Sequence, residues 1–267
     1  LIRHDLHLHT TLSSCCRDPA ATPANYLRSA EELGLAVIGF TDHLWDETRP
    51  GVSEWYRPQN LAHVMRIKKM LPSKGRVKVL FGCESEYCGN GKIGIGREAA
   101  AEFDFVLVPM SHLHMKEFVE PSWVRTPRDV AALMVTYFKE LVEFDYITGI
   151  AHPFLPIGYE NVNQILSYIS KGEFEECFGK AAEQRISIEI STGHFPSINN
   201  GAETHEFNDE TFLEMLSIAK KVDCRFHLAT DAHELENLGR IVALEERAVA
   251  MGMGDAIHPL VEEAISG

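Results

Sequence analysis

Seven short apolar runs, most of them closed by a histidine or a carboxylate, limit what this chain can fold into more than any other feature. They fall at residues 2–8, 35–40, 77–82, 103–108, 146–150, 186–190 and 225–229, and their length and β-branched content read as strands. Just past or within their ends stand His7 and His9, Asp42 and His43, Glu84, His112 and His114, His152, His194, and Asp231 and His233. Between them lie helical stretches, expected at 23–33, 60–71, 127–144, 161–170, 173–183, 209–222 and 235–251, with a short one closing the chain. Thr22-Pro23 and Thr126-Pro127 each combine an N-cap residue with proline at the first helical position, and Gly34 ends the first helix. Strands alternating with helices favour a parallel sheet under a helical layer. An open sheet brings few strand ends to its crevice. A closed barrel gathers them all on one face, where α/β barrels place their sites. Ligand-type residues after nearly every strand therefore favour an α/β barrel of seven strands, in one domain spanning residues 1–267.

The composition excludes several partners. A net charge of -14 leaves no basic patch for phosphate backbones, so no nucleic acid is expected. No apolar run approaches the roughly 20 residues a membrane span needs. The start lacks a basic segment followed by an apolar core, so no signal peptide is expected. The 6 cysteines include no Cys-x-x-Cys pair, which suggests reduced thiols and a cytoplasmic protein.

His7 and His9 are two apart on a strand, so both side chains leave the same face and can share one ion. With His43, Glu84, His112, His152, Asp231 and His233 they form an imidazole-rich set with carboxylates, which suits zinc, manganese or iron better than calcium or magnesium. Asp5 and Asp42 precede ligands and are expected to orient them as hydrogen-bond acceptors. Residues 89–94 match Gly-x-Gly-x-x-Gly, but no acidic residue follows about 20 positions on, as a dinucleotide site requires. A turn is expected there.

In order along the chain, His-x-His, Thr-Asp-His, a strand-end Glu, a His, His-Pro and Asp-Ala-His resemble the PHP superfamily (polymerase and histidinol phosphatase type) over nearly its whole length. The resemblance implies a distorted seven-stranded (β/α)7 barrel with the metal site at the C-terminal ends of its strands, holding two to three divalent ions (Zn, Mn or Fe). It implies that His7, His9, Glu84 and Asp231 hold a first ion, that Glu84 bridges to a second on His112 and His152, and that His43 and His233 hold a third. Cys15 stands where many members place a His or Asp ligand. As a thiolate it is a soft ligand for zinc or iron; as a thiol it leaves that ion weakly held. His114 shares a face with His112 and is the alternative ligand there.

The expected chemistry is metal-assisted hydrolysis of a small phosphate ester, with a hydroxide bridging two metals roughly 3.5–4 Å apart attacking phosphorus. Asp231 or His194 is the expected proton donor to the leaving oxygen, and Arg17, Lys92, Lys116 and Arg125 are loop cations on the expected metal side. Within the family, histidinol phosphate, nucleotide and sugar phosphates and phosphotyrosine are possible substrates. The alternatives are a metal-dependent hydrolase of a C–N or C–O bond and a non-catalytic metal-binding regulatory domain. Substrate choice is expected to lie in loops 46–58 and 115–127.

Overall fold

A computed structural model describes residues 3–71, 75–199 and 207–266. Eight strands occur among them: β1 (His4–Leu8), β2 (Val37–Phe40), β3 (His43–Leu44), β4 (Lys78–Ser85), β5 (Phe105–Pro109), β6 (Gly149–Ala151), β7 (Ser187–Ser191) and β8 (Phe226–Ala229). The helices are α1 (Pro23–Leu33), α2 (Leu61–Val64), α3 (Arg97–Ala100), α4 (Pro127–Leu141), α5 (Val162–Leu166), α6 (Lys171–Glu183), α7 (Leu213–Lys221), α8 (Ile241–Ala250) and α9 (Pro259–Ser266).

The strands pair in parallel in the order β1-β2-β4-β5-β6-β7-β8, and β3 continues the line of β2 by pairing with β4. The result is the nearly closed seven-stranded α/β barrel expected from the strand-end pattern. Side chains do much of the closing between β1 and β8. The Asp5 carboxylate accepts the Thr230 N–H and Oγ–H at 3.2 and 2.5 Å, and His4 Nε2 accepts the Leu228 N–H at 2.9 Å. At the top a main-chain bond spans the seam, from His9 N–H to the Ala232 carbonyl at 3.0 Å. These bonds satisfy polar groups that an open sheet edge would strand in the interior.

Strand β5 is apolar on both faces, as burial between a barrel interior and a helical layer demands. In β5, Phe105 and Leu107 join an inner cluster with Leu6, Val37, Leu80, Ala151, Ile257 and Val261, while Val106 and Val108 join the layer under the helices. Phe105 needs room in that interior. A Cβ on Gly39 would lie 2.6 Å, and one on Gly82 2.5 Å, from its ring. Val261 of α9 belongs to the same inner cluster, and α9 packs on β2 and β4. Outside the barrel, α4 buries Val130, Met134, Phe138 and Leu141, one stripe at helical spacing. Each such side chain contributes about 1.5–3 kcal/mol relative to exposure.

Local signals placed α1 to the residue: Thr22 Oγ1 accepts the Asn25 N–H, and Gly34 ends the helix at φ 72°. In α4, Thr126 and Asp129 complete a capping box. Elsewhere the extents differ from the pattern, with β4 running on to Ser85 and α6 starting at Lys171. The helix expected over 60–71 is one α turn followed by a 3-10 segment, Met65–Lys69. That over 235–251 starts as a 3-10 segment, Leu235–Arg240, where Asn237 and Gly239 are weak helix formers. Ile2, at the start of the first expected strand, lies outside the described residues. The glycine-rich 89–94 segment is a tight turn, with Cys88 N–H bonded to the Lys92 carbonyl at 2.8 Å. No helix among the described residues is long and apolar enough to cross a membrane.

Candidate metal centre

The C-terminal strand ends converge as the barrel predicts. Glu84 of β4 is at the middle, fully buried, and its two oxygens face different groups. Oε2 lies 3.4 Å from Nε2 of both His7 and His9 and 3.0 Å from His43 Nδ1. Oε1 lies 3.3 Å from His152 Nε2 and 3.8 Å from His112 Nε2. Asp231 Oδ1, from the β8 end, is 3.1 Å from His9 Nε2 and 3.4 Å from His7 Nε2. Ligand atoms gather within 4.8 Å of one another in three overlapping sets: His7, His9 and Asp231; His7, Glu84 and His152; His9, Cys15, His43 and His233. The resemblance placed His9 with the first ion alone and His7 likewise, whereas each of these rings stands between two sets.

Hydrogen bonds behind the rings decide which nitrogen faces inward. Glu189 Oε2 accepts from His7 Nδ1 at 2.8 Å, so the neutral ring carries its proton there and turns the Nε2 lone pair into the cluster. For His9 the partner is Ser13. Its hydroxyl donates to Asp42 at 2.6 Å and accepts the His43 N–H at 3.1 Å, so the His9 Nδ1 contact at 3.0 Å makes His9 the donor. Glu86 accepts from His112 Nδ1 at 2.7 Å, and the Asp231 carbonyl accepts from His233 Nδ1 at 2.9 Å. Ser111 meets His152 Nδ1 at 2.6 Å. Orientation of ligating imidazoles from behind is the usual device of metal sites.

The consequence is a concentration of lone pairs. Nε2 of His7 and Nε2 of His9 face each other at 3.1 Å, both looking at carboxylate oxygens. Glu84 Oε2, His43 Nδ1 and Asp231 Oδ1 are buried with no hydrogen-bond partner among the described residues. Such a set is stable only around positive charge. Divalent cations fit it, and in their absence protons take the place. Burial disfavours charge on His7, but Glu189, Asp231 and Glu84 outweigh it and hold the imidazole well above its ordinary value. At His112 burial is likewise outweighed by Glu86, which raises it to about 9. Burial, opposed by Glu84 and aided by His9 and His112, takes His43 down to about 3 and leaves its ring neutral. Burial and then the Glu84 and Asp231 charges push the Cys15 thiol up, so a cation has to displace its proton.

Backbone strain marks the same positions. His152 and Asp231 have φ of 29° and 53°, a region that costs non-glycine residues about 1–3 kcal/mol. The His152 N–H is tied at 3.0 Å to Glu189 Oε1. Glu189 thus secures two ring-bearing segments at once, and the strand-end pattern did not single it out. Its signal was a lone carboxylate inside the apolar run 186–190.

Several expected residues stand elsewhere. His194 is fully buried; its Nδ1 accepts the Ser191 N–H at 3.2 Å and its Nε2 meets the Pro153 carbonyl at 3.1 Å. Both nitrogens are engaged, so it has no free proton to offer a leaving group. Between the two histidines that follow β5, His112 reaches Glu84 while His114 is exposed on the wall of the adjoining cavity. Asp42 acts on His9 through Ser13 rather than on the His43 it precedes, and Asp5 accepts the His7 N–H and joins β1 to Thr230. Lys116 pairs with Glu120, Lys92 lies over Phe118, and neither these nor Arg17 and Arg125 line the cavity.

A family model described as the PHP domain matches residues 5–196. A probable phosphatase from Aliivibrio fischeri (strain MJ11) is 22% identical over 246 residues, 92% of this chain and 83% of the relative. A probable histidinol-phosphatase from Deinococcus radiodurans is 27% identical over 146 residues, 52% of this chain and 54% of the relative. The crystal structure of a histidinol phosphate phosphatase from Lactococcus lactis subsp. lactis, complexed with zinc, L-histidinol and phosphate, superposes with a TM-score of 0.58 at 18% identity. That match covers 92% of this chain and 94% of the other and shows the shared fold.

Proposed function

Because the chain belongs to the PHP domain family, we propose that it is a metal-dependent phosphatase hydrolysing a small-molecule phosphate ester. The observation that carries this is the facing pair of His7 and His9 Nε2 atoms beside the unpartnered oxygens of Glu84 and Asp231, two residues that line a cavity of about 620 Å³. Two to three divalent ions, zinc, manganese or iron, lower the pKa of water, hold phosphoryl oxygens and offset charge as the transition state forms.

The protein's own part is placement. Glu84 offers one oxygen to each half of the cluster, which suits a bridging carboxylate. His7, His9 and Asp231 would hold one ion; His152 with Glu84 and His7, and His112 on the same Glu84 side, would hold a second; Cys15, His43 and His233 with His9 would hold a third. A sulfur among three imidazoles favours zinc or iron over manganese at that position. Desolvation raises the Asp231 carboxyl, but His7, His233 and His9 hold it far below the carboxylate range. It is therefore ionised at the cavity edge and suits holding a cation rather than giving a proton. No lysine or arginine lines the cavity among the described residues, so the charge of a phosphate is met by the ions and imidazoles.

Metal content and phosphate release, measured on the wild type, Glu84→Ala, His152→Ala and Cys15→Ser, test this. Chelator and either of the first two substitutions should lower activity by about 100-fold or more, and Cys15→Ser should bind one ion fewer. Full activity in Glu84→Ala or His152→Ala would overturn the assignment.

A further inference from the structure

The cavity above the cluster has two unlike walls. One is made of His43, Glu84, His112, Asp231 and His233; the other of Trp55, Tyr56, Met115, Phe118 and Ile157. The second wall comes mainly from the two loops in which substrate choice was expected. Trp55 remains 39% exposed at the mouth, its ring edge-on to His43 at 5.1 Å and to Tyr56 at 4.7 Å. Tyr56 offers only its ring, because its hydroxyl donates to Glu86 at 3.0 Å. Trp45 and Phe118, 5.4 Å apart, back this wall. The volume, about 620 Å³, is that of a small-molecule site.

Resting on the phosphatase reading above, the geometry points to an alcohol bearing a flat, uncharged aromatic or apolar group as the part of the substrate that leaves. Such a group, placed against Trp55, Phe118 and Met115, exchanges water for ring and thioether contacts. A polyol entering the same space loses its hydration against these apolar side chains, with Ser53 and His114 as the lining's polar groups outside the ligand cluster and Cys15. A second anionic group meets no cation on this cavity's described lining, since Lys92 lies over the Phe118 ring at 4.5 Å and Lys116 is paired with Glu120 at 2.7 Å. An ammonium finds the carboxylates of Glu84 and Asp231, which face the ligand cluster, and ring faces of which Phe118 already carries Lys92.

The test compares 2-phenylethyl phosphate with glycerol 3-phosphate on the full chain loaded with zinc or manganese. Both release an alkoxide of similar basicity, so the ratio of their kcat/KM values reads the pocket rather than the chemistry. The phenylethyl ester should be favoured by about tenfold or more, and the ratio should fall by about tenfold in Trp55→Ala and in Phe118→Ala. Calorimetric binding of 2-phenylethylphosphonate against ethylphosphonate gives the same contrast without turnover. Phosphate release from both esters with a ratio near one overturns this inference and leaves the phosphatase reading standing. No release from either, with metal bound, overturns the phosphatase reading instead. The phosphonates then decide the pocket: equal affinities overturn it, and tighter binding of the phenylethyl compound supports it.

Discussion

At the scale of residues, Glu189 carries more than its place in the sequence announces. It accepts from His7 Nδ1, holds the strained His152 backbone and lies 3.3 Å from His227 Nε2. Glu189→Gln keeps the shape but weakens the charge-assisted bonds, so metal affinity should fall by about 10–100-fold, read by competition with a chelating dye. Unchanged affinity would show that the rings are held well enough by packing. His194 makes a prediction of a different kind. Burial takes its imidazole down to about 4. Its unfolded value lies near 6.5, so between pH 6.5 and 4 the unfolded chain binds a proton that the folded one refuses. The stability it confers is complete above pH 6.5 and declines as pH falls toward 4, by on the order of 3 kcal/mol. Urea unfolding of metal-free wild type and His194→Gln should show a gap that narrows from pH 7 to pH 4; a constant gap would refute the assignment. The histidines, Glu84 and Asp231 were legible because strand ends are local features. The tautomers were not: Glu189 is 182 positions from His7, and no pattern within a strand foretells that contact.

Among the elements, legibility followed how local the determinant was. The first helix was readable to the residue because Thr22, Pro23 and Gly34 act within one turn. The two-residue strand β3 escaped notice, since His43–Leu44 becomes a strand only by pairing with Glu84 and Ser85 of β4. Strand β6, three residues long, was expected over five because residues outside the pairing register are as apolar as those within it. Packing between elements supplies another test. Gly82 of β4 lies against Phe105 of β5, and an added methyl would stand 2.5 Å from that ring. Gly82→Ala should destabilise the protein by about 1–3 kcal/mol in denaturant unfolding. A neutral result would mean that the Phe105 ring moves freely inside the barrel.

For the whole molecule, stability and function meet at the cluster of buried carboxylates and imidazoles. Ions that bind only the folded state add about 4 kcal/mol when free metal is a thousandfold above Kd. Thermal unfolding with zinc or manganese should therefore occur on the order of 10 °C above that with chelator. Coincident curves would show that the cluster is satisfied by protons alone. The amino-acid sequence by itself determined the alternation of strands and helices, the barrel and the kinds of ligand at its rim, because strand periodicity and helix caps act over a few residues. Tertiary structure alone decided that His7 and His9 each stand between two ligand sets, that His194 turns away, and that Trp55 and Phe118 share one wall. Those outcomes depend on hydrogen-bond and packing partners brought from distant strands and loops, which a linear pattern does not contain.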